Sequence, residues 1–327
     1  MKKPVYITQM GVLERKGNTL FFENENGKKA IPVNSTSEVH CFKPVTLTSG
    51  AIKLLSEKNV PVHFYNKYGY YRGSYMPAEG GQVSGSVVIR QAEHYLDSEK
   101  RLYIAGQFVK GIKASMLALL KSYRADASAI EEVPVEGESP AELMGVESTL
   151  WKEFYTIFGS LLKNFEFKER NRRPPKDEVN AMISYGNSVL YTVALSEIRK
   201  TYLHPAISFL HEPLERRYSL ALDFADIFKP VTVFRVILRL VNRGGKIKEE
   251  HFERDVGVMF NREGGLRVFL PELNGELERK VLHPRLKRNV SIRYLIRLEG
   301  YSLVRHLFGI RLTPLCGRGG DVRHSCL

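Results

Sequence analysis

The chain contains 327 residues with a formal net charge of +13, and 43% of the residues are hydrophobic. This length is enough for two domains, and the positive charge favours a polyanionic partner, nucleic acid before a membrane surface. The sequence has no apolar run of the roughly 18 residues that a membrane-spanning helix needs, and it starts without an apolar signal segment. Cys41, Cys316 and Cys326 are too scattered for a disulfide framework or a zinc cluster, so we expect a protein of the reduced cytoplasm.

Residues 1–85 predict a β-rich domain. Short apolar segments alternate with turn signals such as Asn26-Gly27, which suits a type I′ turn with positive φ at both central positions. Thr48 is placed to cap a helix that runs to about Lys58. Five tyrosines could stack on nucleic-acid bases, although sheet packing or a dimer face explains them more simply: Tyr65, Tyr68, Tyr70, Tyr71 and Tyr75.

A glycine-containing linker at about 77–88 separates this domain from a helical region. Apolar residues recur at helical spacing over 94–121, with lysines and arginines between them that are either a solvated surface or phosphate contacts. The acidic, proline-containing segment 125–140 is predicted to be a loop.

A glutamate opens the next apolar stripe. One face of a predicted helix carries Glu147, Leu150, Trp151, Phe154, Phe158 and Leu161. A position in the first turn, where the helix dipole favours an acid, would explain where Glu147 lies along the helix. It would not explain why Glu147 shares a face with apolar residues.

Residues 201–230 place two histidines and two aspartates among apolar residues. Pro213 separates His211 from a helix that begins at Ser219, and Asp223 and Asp226 lie on or beside the apolar face of that helix. A carboxylate in such surroundings needs a cation. The cation is either a bound metal or, in a buried ion pair, one of Arg216, Arg217 and Arg235.

Three further segments complete the chain. The basic run 168–173 is either an exposed connector or a phosphate-binding segment, and it precedes a predicted helix at 179–203. Helix is expected to continue to Val241, followed by a hairpin of strands at 256–260 and 266–270. Residues 279–305 carry eight basic side chains against one acid, which favours a polyanion-binding face. From about 312 the sequence has no periodicity and is expected to be a disordered tail.

Glu147, His211 and Asp226 together suit a divalent-metal site, since carboxylate oxygens with one imidazole fit Mn²⁺ or Mg²⁺. Spacing alone does not establish that Glu147 reaches the other two. Asn180 and Tyr185 are candidates to order this site through an outer layer of contacts.

Three segments of the chain resemble the CRISPR-associated integrase, the metal-dependent nuclease of the spacer-acquisition (adaptation) complex. Their order and spacing match that family. The segments are Gly145-Val146-Glu147 with Tyr155; Asn171-Arg172-Arg173-Pro174-Pro175 with Asp177, Asn180 and Ser184-Tyr185-Gly186; and Phe209-Leu210-His211 with Ser219, Leu220, Asp223 and Asp226.

This resemblance implies that Glu147, His211 and Asp226 are catalytic metal ligands, with Asp223 beside them and Mg²⁺ or Mn²⁺ as the cofactor. It also implies double-stranded and branched DNA as substrate, and a homodimer joined to a small companion adaptation protein. In the implied reaction, the 3′ hydroxyl of a short foreign DNA attacks a phosphodiester of a CRISPR array. DNA contacts are expected from Arg172, Arg173, Lys229, Arg285, Lys287 and Arg288.

The sequence departs from the family pattern at three positions, none of which removes a ligand. Ser148 stands where Gly or Ala is usual, His204 where Asp or Asn is usual, and Lys229 where Arg is usual. The last departure matters most for DNA contacts, since lysine presents a point charge to a phosphate whereas arginine presents a fork.

We therefore predict an α+β protein with an N-terminal β-rich domain at 1–85, for dimerisation and partner contacts, and an all-helical catalytic domain at 86–327. A non-catalytic, basic DNA-binding protein is one alternative, but it would not need carboxylates on apolar faces. A metallohydrolase of small phosphates is the other, but it would not need the basic segment 279–305. The sequence lacks the GxxxxGK[ST], CxxC and GxSxG motifs, which argues against an ATPase, a zinc finger and an esterase.

Overall fold

The computed structural model describes residues 2–78, 84–213, 218–242, 246–260, 264–283 and 285–310. The predicted tail from about 312, with Cys316 and Cys326, lies outside these residues, as do Arg216 and Arg217. Within the described ranges, no helix combines the length and the apolar character that a membrane crossing requires.

The first part of the chain folds into two four-stranded sheets. Its strands are β1 (Lys3–Ile7), β2 (Gly11–Lys16), β3 (Thr19–Asn24), β4 (Gly27–Ile31), β5 (Thr36–Cys41), β6 (Val45–Leu47), β7 (Val62–Tyr65) and β8 (Tyr71–Tyr75). One sheet has the order β1-β5-β7-β8, and β8 is its antiparallel strand. The other has the order β4-β3-β2-β6, and β6 is parallel to β2.

A core of aliphatic side chains lies between these sheets and helix α1 (Ser49–Glu57). Leu13, Leu20 and Val39 are fully buried there. The predicted cap of α1 is confirmed, since the Thr48 hydroxyl accepts a hydrogen bond from the Ala51 N–H at 3.2 Å. That cap fixes where the helix begins.

The rest of the chain is mainly helical. Its α-helices are α2 (Gly85–Leu96), α3 (Ser98–Ser122), α4 (Ser128–Glu131), α5 (Pro140–Ser160), α6 (Glu178–Ile198), α7 (Ser219–Phe228), α8 (Arg235–Asn242), α9 (Gly265–Leu277) and α10 (Ile292–Leu307). Asp97 ends α2 and begins α3, because its carboxylate accepts the Lys100 N–H at 3.0 Å. The helical spacing predicted over 94–121 therefore covers the end of α2 and nearly all of α3.

Helix α6 is the centre of the helical region. Nearly all of its residues are buried, since α7, α10 and the β-rich part pack around it. A helix that is buried on every face requires such a central position. The two helices that carry carboxylates of the candidate site, α5 and α7, both pack on α3, and α7 also packs on α6.

The helix after α7 changes its winding. Pro230–Phe234 is a π-helical segment that joins α7 to α8. Pro230 has no N–H to donate, and the Phe234 N–H donates to the Lys229 carbonyl at 3.2 Å, five residues back. Such wide turns often occur beside functional residues.

The α+β class is confirmed, but the second part of the chain is not purely helical. It contains two short antiparallel hairpins, β9 (Phe252–Arg254) with β10 (Val258–Phe260) and β11 (Lys280–His283) with β12 (Arg288–Ser291). The strand expected at 266–270 is wrong. It belongs to α9, whose buried residues Leu266, Phe269, Leu270, Leu273 and Leu277 recur at helical spacing.

Candidate active site

The structure brings Glu147, His211 and Asp226 to one place, which we call the centre. Glu147 lies on α5, Asp226 on α7, and His211 on the segment that leads into α7. The His211 Nε2 atom is 3.9 Å from Asp226 Oδ2. The charges of both residues act on the Glu147 carboxyl. Three segments that are distant in the sequence therefore meet here.

Glu147 is not a first-turn residue. Helix α5 begins at Pro140, and its cap is Ser139, whose hydroxyl accepts the Glu142 N–H at 3.2 Å. Glu142 is the acid of the first turn, and Glu147 lies about two turns into the helix. The helix dipole consequently does not explain this carboxylate.

Asp223 holds His211 from the buried side. Its carboxylate has no exposed surface and accepts the backbone N–H groups of Phe209, Leu210 and His211 at 3.0–3.2 Å. It also bonds the His211 Nδ1 atom at 2.8 Å. Because Nδ1 is engaged in this way, the ring presents Nε2 to Asp226.

Side chains of α2 and α3 hold the segment around His211. Arg101 on α3 donates to the Phe209 carbonyl at 3.1 Å and to Glu212 Oε1 at 2.6 Å. Gln91 on α2 donates to the carbonyls of His204 and Ile207, each at 3.2 Å. An irregular segment is therefore fixed by hydrogen bonds to its own backbone.

Lys229 supplies the cation beside Asp226. Its Nζ atom forms an ion pair with Asp226 Oδ1, one helical turn away. The sequence-based alternative of a pair with Arg235 is wrong, because the Arg235 Nε atom lies 3.7 Å from Glu276 Oε1 instead. The other two candidates, Arg216 and Arg217, lie outside the described residues.

Trp151 contacts Glu147 of the centre and the neighbouring Lys229. Its indole Nε1–H donates to Glu147 Oε1 at 2.6 Å, and the Lys229 ammonium lies 5.5 Å from the centroid of its ring. Burial, together with the negative charge of Asp226, raises the pKa of Glu147 to about 7, although Lys229, His211 and the indole N–H oppose this rise.

The same charges act on the imidazole in the opposite sense. Burial alone would lower the pKa of His211. The hydrogen bond to Asp223 and the negative charges of Asp226, Asp223 and Glu147 outweigh it, and they raise this pKa to about 9. The centre without metal consequently holds a protonated histidine at neutral pH.

The donor set fits a divalent cation. Two carboxylates and one imidazole match the ligands that Mg²⁺ and Mn²⁺ accept. Asp226 Oδ1 is buried and, despite its ion pair, accepts no well-aligned hydrogen bond. In the described part of the chain, no three His, Cys, Asp or Glu side chains already stand at metal-binding positions. Binding therefore requires side-chain movement around Asp226.

The family model of CRISPR-associated protein Cas1 matches residues 5–274 of this sequence. The chain belongs to the Cas1 family. A CRISPR-associated endonuclease Cas1 from Moorella thermoacetica is 43% identical over 310 residues, which are 93% of this chain and 95% of that protein.

Solved structures show the same Cas1 fold. A Cas1 protein from Thermotoga maritima has 38% identity and a TM-score of 0.87, over 95% of this chain and 98% of that chain. A casposase bound to an integration product has a TM-score of 0.83 over 95% of this chain and 92% of that chain. Its sequence identity is 22%, so this second likeness concerns the fold alone.

Asn180 and Tyr185 are not in contact with the centre in this Cas1 protein. The Asn180 side chain accepts from the Asn171 N–H at 3.1 Å and donates to the Glu169 carbonyl at 2.9 Å, so it shapes the arginine–proline segment. The Tyr185 hydroxyl donates to the Lys67 carbonyl in the β-rich part. A role of Tyr185 in an outer layer of contacts around the metal stays a prediction.

Arg170 is a half-buried cation of the arginine–proline segment. It donates to Asn180 Oδ1 at 2.8 Å and to Ser184 Oγ at 3.0 Å. Arg172 and Arg173, which were expected to contact DNA, are exposed. Arg172 and Lys229 both act electrostatically on Tyr155 of α5, so this segment borders the centre.

Six of the eight basic residues of 279–305 fall into two groups, and the other two, Lys280 and Arg305, are exposed. Arg285, Lys287 and Arg288 are exposed at the turn between β11 and β12. Three others are engaged within the protein: Arg279 with Glu276 at 2.5 Å, Arg293 with Glu278 at 2.9 Å, and Arg297 with Glu197 at 2.6 Å. The predicted face of eight cations is therefore smaller than the sequence count.

Sequence reasoning missed Trp151, Arg101 and Arg170 as residues that shape the site. Trp151 follows Glu147 by four positions, a spacing at which helical side chains meet, so a signal existed. Arg101 and Arg170 reach the site only through tertiary contacts, and their positions in the sequence carried no such signal.

Proposed function

We propose that this Cas1 protein is a metal-dependent DNA endonuclease and integrase that inserts short foreign DNA into a CRISPR array. The meeting of Glu147, His211 and Asp226 carries this proposal. Membership of a family with members named as endonucleases supports it.

Mg²⁺ or Mn²⁺ is the proposed cofactor, held by the carboxylates of Glu147 and Asp226 and by Nε2 of His211. A divalent cation there stabilises negative charge on phosphoryl oxygens. The side chain of His211 is 24% exposed and that of Lys229 17% exposed, against 5% for Asp226. DNA would consequently approach from the side of the histidine and the lysine.

Two residues of the chain would act on the departing and transferred groups. Protonated His211 can donate its Nε2 proton to the leaving oxygen when this atom does not bind the metal. Asp223 keeps the ring in position for that donation through the Nδ1 bond. Lys229 provides a positive charge for the scissile phosphate.

The proposed substrate is double-stranded or branched DNA. The exposed cations Arg172, Arg173, Arg285, Lys287 and Arg288 are suited to phosphates. The proposed assembly is a homodimer, joined through the β-rich part, with a small companion adaptation protein. Light scattering of the protein alone and mixed with that companion tests this assembly.

Strand transfer into branched DNA, with Mg²⁺ or Mn²⁺, tests the function. Glu147→Ala, His211→Ala and Asp226→Ala should each abolish the reaction and leave the protein folded and bound to DNA. Glu153→Ala, on the same helix α5, is the matched control and should keep full activity. DNA binding by the parent without any cleavage would identify a non-catalytic DNA-binding protein. Hydrolysis of short phosphate esters, with no dependence on DNA length, would identify a small-phosphate metallohydrolase.

DNA affinity should fall steeply with salt. Neutralising about six phosphates implies a loss of roughly 10³ in affinity between about 50 and 200 mM salt. Replacing Arg285, Lys287 and Arg288 together by glutamine should weaken binding to all sequences and lower the slope of log K against log salt by up to about three. Fluorescence anisotropy with labelled duplexes measures both, and an unchanged slope would remove this hairpin from the DNA interface.

A further inference from the structure

Lys229 occupies the place where a metal ion has to act. Its ammonium pairs with Asp226 Oδ1, and its side chain is 17% exposed. The Asp226 side chain is 5% exposed, and a carboxylate with so little access to water requires a cation. In the metal-free protein the chain supplies this cation itself.

Trp151 fixes the two partners of this arrangement. The edge of the indole donates to Glu147, and the face of the indole lies against the Lys229 ammonium. Neighbouring rings restrict rotation of the indole. The Tyr155 ring stacks on it with 5.5 Å between ring centroids, and the Phe234 centroid lies 5.7 Å from that of the indole. One rigid side chain therefore holds both an anion and a cation of the centre.

Two positive charges on one buried carboxylate repel each other strongly. The Lys229 ammonium already pairs with Asp226 Oδ1, so a divalent cation that binds Asp226 meets this repulsion in a dry place. The indole bond to Glu147 Oε1 carries no net charge and adds no such repulsion. An arriving metal must consequently displace the ammonium from Asp226.

We propose, on the basis of the metal-dependent function above, that Lys229 is the internal counter-cation of the metal-free centre. Trp151 is the positioning residue that keeps it there. Arrival of the metal moves the ammonium off Asp226 and off the indole, toward the exposed side where a DNA phosphate binds. The lysine thus serves the protein in turn as a substitute for the metal and as a contact for the substrate.

Calorimetry with Mg²⁺ separates direct competition from general repulsion. Lys229→Met should bind Mg²⁺ about tenfold more tightly than the parent, since nothing competes for Asp226. Lys229→Arg should bind it several-fold more weakly, because a guanidinium fork grips a carboxylate better than an ammonium does. Lys152→Met, an exposed position next to Trp151, removes the same charge without this contact and should bind Mg²⁺ like the parent.

The single tryptophan of the chain gives a second measurement that does not depend on activity. Protein labelled with ¹⁵N-tryptophan shows one indole N–H resonance. Without metal, this resonance should differ between the parent and Lys229→Met, because only the parent carries an ammonium over the ring. With saturating Mg²⁺ the two resonances should converge, since Lys229 has then left the ring.

Two results would overturn the displacement of Lys229 and leave the metal-dependent function standing. In the first, the parent binds Mg²⁺ but its indole resonance stays apart from that of Lys229→Met. In the second, Lys229→Met and the parent bind Mg²⁺ with equal affinity. No binding of Mg²⁺ or Mn²⁺ by the parent overturns the metal-dependent function and this inference together. Thermal unfolding of each variant establishes that it is folded before either comparison is made.

Discussion

Asp223 and Asp226 are three residues apart on one helix, yet their surroundings separate their chemistry. Asp223 is surrounded by hydrogen-bond donors of 209–211, so its negative charge is already satisfied by the protein. Asp226 faces the His211 Nε2 atom and the ammonium of Lys229. Only the second aspartate has a partner that a metal ion can replace.

Substitution of each aspartate by asparagine separates these roles. Asp226→Asn should lose nearly all metal affinity and catalysis. Asp223→Asn should retain metal binding but weaken it by about 10–100-fold, the usual scale for a group that orients a ligand. Its amide NH₂ also faces backbone N–H donors, so some stability should be lost.

Calorimetric titration of both variants beside the parent, with urea unfolding in parallel, decides between them. Loss of metal binding in Asp223→Asn alone would reverse the assignment of the two aspartates.

Single residues were predictable from the sequence where the signal is local. The stripe of α5 marked Glu147 as misplaced because helical periodicity needs only neighbouring positions. Whether Glu147 reaches His211 depends on how α5 and α7 pack together on α3, which no spacing encodes. The spacing of Asp226 and Lys229 is compatible with an i, i+3 ion pair on one helix. The sequence was equally compatible with Lys229 binding a DNA phosphate.

At the scale of elements, the π-helical segment Pro230–Phe234 connects the centre to the core. It follows directly after Lys229 and ends in Phe234, which is fully buried. The Phe234 ring packs edge-to-face on Phe154 at 5.0 Å and on Phe158 at 4.9 Å, below Trp151. The π-helical turn thus places the Phe234 ring against the indole of Trp151.

Phe234→Leu should therefore affect stability and function together. The change should cost about 1–2 kcal/mol, less than the roughly 3–5 kcal/mol typical of Phe→Ala. It should also strengthen Mg²⁺ binding, because Trp151 loses its support and holds Lys229 on Asp226 less firmly. Urea unfolding and calorimetry measure the two effects.

Phe42→Leu is the matched control for this change. Phe42 is 2% exposed and stacks on Tyr65 in the β-rich part. It should cost similar stability and leave Mg²⁺ affinity unchanged. Equal Mg²⁺ affinities for both variants and the parent would show that Phe234 contributes only to packing.

Element boundaries were predictable where one residue decides them. The Thr48 cap predicted the start of α1, since its hydroxyl bonds a backbone N–H three residues on. Asp97 carries the same signal for α3, since its carboxylate bonds a backbone N–H three residues on, but no helix boundary was predicted there. The π-helical segment has no periodic signature of its own, and Pro230 alone indicated a change of winding.

At the scale of the whole molecule, one buried ionic cluster joins the β-rich part to the helices. Glu38 on β5 is 1% exposed and pairs with Arg293 on α10. His40 Nε2 and His63 Nε2 each lie 3.5 Å from one of its oxygens, and His63 reaches Ser196 of α6 at 3.1 Å. The sequence did not predict this cluster, because its members are spread over more than two hundred residues.

The charges of this cluster are fixed by its surroundings. Burial would raise the pKa of Glu38, but Arg293 and the two histidines hold it well below its usual range. Burial lowers the pKa of His40, so this ring is neutral. Glu38 therefore contributes stability that is present at neutral pH and is lost only as the pH falls below about 4.3, the ordinary value for a glutamate.

Arg293→Met should remove this contribution in a pH-dependent way. At pH 7 it leaves Glu38 as a buried charge without its main partner, which typically costs about 3–5 kcal/mol. Without Arg293, burial raises the pKa of Glu38, so protonation removes the unpaired charge as the pH falls from 7 toward about 4.3, while the parent still keeps the contribution of Glu38 there. Urea unfolding of both proteins at several pH values in this range should show their difference shrinking. Arg305→Met, an exposed change on the same helix, should leave stability nearly unaltered at every pH. A difference that stays constant with pH would mean that Arg293 joins the two parts by packing and not by charge.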